Sequence, residues 1–160
     1  MSFGFFTKQI ELGDPDWMKN LKNESRIRFK LNGVKIRDDK TILERILNQN
    51  HTVFRINYPL VDNQDSVEYI CTDYKYKLQQ DRVVGFAITN ANANKNDIIE
   101  QLGDPTSITP IIGEIYSIDM FEIEGYIWEY EKLQLEITLD EEQQFACAFH
   151  VGKKLYYFDN

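Results

Sequence analysis

Histidine, cysteine and proline are scarce here: the 160 residues hold two, two and four of them. Cys71 and Cys147 lie far apart inside apolar runs, which excludes a disulfide framework and predicts two buried free thiols. Two separated cysteines and two separated histidines also fall short of the three or four close ligands of a zinc site. His51 follows Asn48-Gln49-Asn50 and reads as the end of a helix, where partial positive charge is favourable. His150 lies in the strand-like segment 145–151. Pairing it with Cys147 as a nucleophile and base is disfavoured, because residues three apart on a strand point to opposite faces. No Walker loop, GxGxxG, HExxH or GxSxG sequence occurs. Asp140-Glu141-Glu142 lacks the Asx and glycine pattern of a calcium loop. Carboxylates are so numerous that no single pair stands out as catalytic. The reading is a non-enzyme without metal or cofactor.

Long hydrophobic runs are missing as well. Nothing approaches the ~18 apolar residues of a membrane span. The opening MSFGFFTKQIELGD has no basic start, no long apolar core and no small-residue cleavage site. A cytoplasmic chain with no membrane partner is expected. Hydrophobic residues make up 42% and charged ones 28%, which places the chain among globular domains rather than disordered ones.

Basic residues are the third shortage, and it is local. Residues 81–160 hold 5 Lys and Arg against 15 Asp and Glu, whereas residues 1–80 hold 13 against 11. Between Glu114 and Glu142, ten acids face one base, Lys132. Tyr116, Phe121, Tyr126, Trp128 and Tyr130 lie among them. Clustered carboxylates repel one another and create a field that attracts cations. Aromatic side chains add contact area at low entropic cost. With a formal net charge of −8, direct nucleic-acid binding is not expected, since phosphates require clustered Lys and Arg. A basic protein is the partner this composition suits. The candidate partner-binding residues are Glu114, Tyr116, Asp119, Phe121, Glu122, Glu124, Glu129, Glu131 and Glu136. The alternative is an ordinary solvated acidic face.

Residues 26–31 alternate as a strand does, Asn32-Gly33 is a hairpin turn signal, and residues 34–37 form the returning strand. Asp38 or Asp39 caps a helix reaching about Asn48, and residues 51–57 read as a strand. Residues 67–88 and 126–147 share a pattern at an offset of 59. A turn at Thr72-Asp73 sets Cys71 against Tyr74, Tyr69 against Tyr76 and Val67 against Leu78. A turn at Glu131-Lys132 sets Tyr130 against Leu133, Trp128 against Leu135 and Tyr126 against Ile137. Every pair is apolar and on one face, as a half-buried antiparallel hairpin requires. Third strands follow at 83–89 and 144–151, and a second helix spans 96–103, ending at Gly103-Asp104-Pro105.

The expected fold is α+β in one domain, 1–160, with pseudo-repeat halves at 26–89 and 94–151. Each half is a helix plus an antiparallel three-stranded meander, and the sheet is shared or continuous with helices on one face. A single irregular α+β sheet is the alternative. Lys75, Lys77 and Arg82 of the first half align with Gln134, Glu136 and Glu141 of the second, so the outer faces are expected to carry opposite charge.

Within 94–151, Ile98-Ile99-Glu100-Gln101-Leu102-Gly103-Asp104-Pro105 is followed by Trp128-Glu129-Tyr130 and the apolar run 133–140. This resembles the repeat of the small outer-membrane assembly lipoproteins (SmpA/OmlA) and of β-lactamase inhibitory protein. The resemblance implies a tandem helix-and-sheet fold and a protein partner. The acidic composition without catalytic motifs is also similar in type to bacterial immunity proteins, of the bacteriocin or contact-dependent inhibition kind. That likeness implies a stoichiometric inhibitor of a basic, nuclease-like toxin domain. The alternative it leaves is a scaffold or assembly module of the SmpA/OmlA-like repeat type.

Overall fold

The computed structural model describes residues 7–21, 26–58, 66–115 and 120–152, except the side chains of residues 114, 115, 120 and 121. Strands dominate it. Three short ones near the N-terminus are β1 (Lys8–Glu11), β2 (Ile27–Leu31) and β3 (Val34–Lys35), with a 3-10 turn (Trp17–Leu21) between the first two. Helix α1 (Lys40–Gln49) leads into β4 (Arg55–Asn57), β5 (Ser66–Ile70), β6 (Tyr74–Gln79) and β7 (Arg82–Ile88). The short β8 (Ala93–Asn94) and α2 (Lys95–Leu102) lead into β9 (Ser107–Ile115), β10 (Met120–Tyr130), β11 (Leu135–Leu139) and β12 (Phe145–Gly152).

The small sheet has the order β1-β2-β3, with β1 and β2 parallel. The large one has nine strands in the order β4-β5-β6-β7-β12-β11-β10-β9, with β8 added beside β12. This corrects the expected architecture. The chain does not form two helix-plus-three-stranded-meander units. It forms one nine-stranded sheet, with only two short α-helices and a separate N-terminal sheet among the described residues. The missing strands are those with weak local signals. β9 contains Pro110, which removes a backbone donor, and a strand at the sheet edge tolerates this because one of its sides has no partner. The strand expected at 51–57 shortens to three residues, since His51 adopts a left-handed φ of 54° just after the helix.

Local chemistry explains the elements that match. The side chain of Asp39 accepts from the Ile42 amide and caps α1. Asn32 and Gly33 both take positive φ, as a tight hairpin turn needs. In the first hairpin Tyr69 opposes Tyr76 and Val67 opposes Leu78, as the alternation requires. In the second, Trp128 opposes Ile137 and Tyr130 opposes Leu135, two residues away from the expected register. The cause is the connection: Glu131–Leu133 coil into a 3-10 turn and Gln134 takes a left-handed φ of 51°. A shift of two leaves each side chain on its own face, so the buried pattern survives.

One face of the large sheet carries the core. Tyr69, Tyr76, Phe86, Leu135, Ile137 and Trp128 are buried there with Leu43 and Leu47 of α1 and Ile98 of α2. Trp17 meets Phe29 and Phe149 edge-on at 5.6 and 5.1 Å, tying the small sheet to the large one. The tyrosines place their hydroxyls on fixed partners. Tyr69 donates to Glu44 Oε1 at 2.6 Å, Tyr76 to the Leu31 carbonyl at 3.1 Å, and Tyr130 to the Gly103 carbonyl at 2.9 Å. Helices and small sheet therefore lie on the same side. The other side of the sheet carries Glu68 and Lys77, both buried, and Glu136 and His150, both largely buried.

Candidate functional site

Strand register assigns the residues of that other side. A row crosses eight strands: Arg55, Ile70, Lys75, Ala87, His150, Glu136, Glu129 and Ser107. At the β5–β6 end, Glu68 and Lys77 oppose each other and are buried, and Lys75 Nζ lies 3.2 Å from Glu68 Oε2. Lys77 is thus not the exposed base the sequence comparison expected. At the other end the sign reverses. His150 Nδ1 lies 3.5 Å from Glu136 Oε1, and Glu136 faces Glu129 across β10 and β11.

The two strands that follow carry the acids further. β10 pairs with β11 only from Tyr126 to Tyr130, while its pairing with β9 begins at Met120. Residues 111–115 and 120–125 therefore run on as a two-stranded arm. Glu124 forms a bulge between the pairs Ile123–Ile112 and Gly125–Ile111. Gly125 is required there, because a Cβ would lie 2.6 Å from the Leu139 carbonyl oxygen. The bulge resets the alternation. Ile112 and Ile123 face each other on the helix side of the sheet, where they are 59% and 44% exposed. Ile108 continues the same row on β9 and is 48% exposed. Glu122 and Glu124, both exposed, occupy the opposite side, the Glu124 carboxylate lying over Gly113.

The expected binding residues thus separate into groups. Glu122 and Glu124 share the arm, Glu129 and Glu136 lie half-buried on the adjoining row, and Glu131 is exposed in the turn at the far end of β10. Glu114 and Phe121 pair within the arm, but their side chains lie outside what is described. Tyr116 and Asp119 lie outside the described residues. Trp128 and Tyr130 are core, with the Trp128 indole donating to Gln143 Oε1 at 2.8 Å. Among the described side chains of the arm, the exposed apolar ones are isoleucines. Their signal was the alternation Glu122-Ile123-Glu124, in which an apolar residue stands between two acids.

Burial raises the Cys71 thiol. Cys147 corrects the expectation of two buried thiols: it is exposed, its Sγ donates to the Thr138 carbonyl at 3.3 Å, and partial burial with Asp140 nearby raises its thiol too. Among the described residues no group of three or more His, Cys, Asp or Glu is placed to hold a metal, and no helix is long and apolar enough to cross a membrane. The chain matches no family model, no curated protein and no solved structure.

Proposed function

We propose that this chain is a stoichiometric protein inhibitor of the immunity type, which neutralises a basic, nuclease-like toxin domain by docking its acidic arm on it. The observation carrying this reading is the Ile112–Ile123 pair, exposed on an arm whose other side bears Glu122 and Glu124. Exposed apolar groups on an arm that also carries like charges suit a basic partner with an apolar contact patch. Carboxylates of one sign speed the encounter, and the isoleucines, desolvated on contact, slow dissociation. Pro110 supports binding through side chains, because it interrupts the edge that strand addition would use. We place the activity in the cytoplasm, where such an inhibitor protects its own cell.

The test compares the wild-type chain with an E122Q/E124Q/E129Q/E136Q variant for binding to a captured basic partner across a salt series. The variant is expected to associate more slowly and to lose most of the salt dependence. Unchanged association and unchanged salt dependence would remove the acids from the mechanism.

A further inference from the structure

A second surface of opposite character lies at the other end of β10. Two cavities of about 670 and 420 Å³ meet there and share Ile27, Arg28, Glu131, Lys132 and Leu133. Together they form one groove between the small sheet and the β10–β11 turn. Its floor is apolar: Ile27, Phe29, Ile36, Leu102, Leu133 and Val151, of which Phe29 and Val151 belong to the buried core. Its walls carry five bases, Arg26, Arg28, Lys35, Arg37 and Lys132, against two acids, Asp104 and Glu131. That balance is notable in a chain with 18 bases and 26 acids. Lys132 is the lone base of the acidic stretch 114–142, and it stands in this groove.

The side chains of Arg28, Lys35, Arg37 and Lys132 form no ion pair among the described residues. Their charges are therefore not already neutralised inside the fold. Bases gathered above half-exposed aliphatic side chains match one ligand chemistry. The planar forks of the arginines suit a carboxylate or phosphate, and the floor offers an aliphatic chain an escape from water. Each cavity falls in the size range of small-molecule sites.

We propose that this groove binds an amphipathic anion, an acidic head group on an aliphatic body, with the head between Arg28 and Lys132 and the body along Ile27, Leu133 and Phe29. The test is calorimetric titration of the full chain with dodecanoate, dodecyl phosphate and neutral dodecanol, all below their micelle concentrations. One or both anions are expected to bind at one site, and dodecanol at least roughly tenfold more weakly. The double variant R28E/K132E is expected to weaken anion binding by roughly tenfold or more, while R55E, on the distant edge strand β4, leaves it unchanged. Both altered positions are exposed, and circular dichroism checks that each variant folds. The proposal fails if neither anion binds, if dodecanol binds as tightly as the anions, or if R28E/K132E binds like the wild type. Tight binding of an oligoglutamate peptide with no binding of dodecanoate would also overturn it, since charge alone would then suffice.

Discussion

Glu11 shows how much one side chain organises in the small sheet. Its carboxylate accepts from the amides of Gly13, Asn32 and Gly33 at 2.8–2.9 Å, so it fixes both its own turn and the β2–β3 hairpin. Truncating it leaves those amides without their acceptor. Glu11→Ala is therefore expected to lower stability by about 2–3 kcal/mol, measured by urea unfolding, while the conservative Glu11→Gln loses less. An effect below about 0.5 kcal/mol, the level of an ordinary surface change, would show that the contacts contribute nothing net. None of this was legible in the sequence. Glu11 is 21 residues from Asn32, and only the parallel pairing of β1 with β2 brings them together. The cap on α1 was legible, because Asp39 and Ile42 are three residues apart.

At the scale of elements, the arm depends on the bulge at Glu124 and the glycine beside it. A methyl group at position 125 has no room against the Leu139 carbonyl. Gly125→Ala is expected to cost about 1–3 kcal/mol and to disturb the exposure of Ile123. Thermal unfolding and amide exchange of residues 120–126 measure the two effects. A variant with wild-type stability and exchange would show that the strand yields easily at this point. The bulge also marks the limit of what alternation reveals. The first hairpin was readable because its turn is tight and no bulge shifts the β5–β6 register. The second was displaced by two, since nothing in Glu131-Lys132-Leu133-Gln134 distinguishes a two-residue turn from a coiled one. β9 went unread because Pro110 and Gly113 weaken a strand signal that edge position alone permits. The acids of the candidate site were visible from composition. Their division between the arm, the half-buried row and the far turn depended on pairing partners that no local pattern contains.

The whole molecule is polarised, with acids and exposed isoleucines on the arm and bases around the groove. Its core rests on tyrosines held neutral. Burial pushes the Tyr130 phenol up to about 12. It raises Tyr69 and Tyr76 as well, and the Glu44 carboxylate adds to the effect at Tyr69. Each folded value exceeds the unfolded one near 10, so the unfolded chain releases these protons first. The stability they contribute is intact below pH 10 and is lost as the pH rises toward 12 and beyond. Urea midpoints are expected to fall steadily over that range, with a shallower fall in Tyr130→Phe. A flat profile above pH 10 would show that the phenols ionise freely in the folded state.

The central claim is that the arm is the surface by which this protein grips another. The direct measurement is the affinity of a captured partner for the wild-type chain and for I112K/I123K, whose altered residues are already exposed and leave the core intact. A basic partner held at one-to-one stoichiometry is expected, with binding weakened by at least about thirtyfold in the variant, the loss typical of a central apolar contact. A partner bound equally well by both chains would contradict the claim.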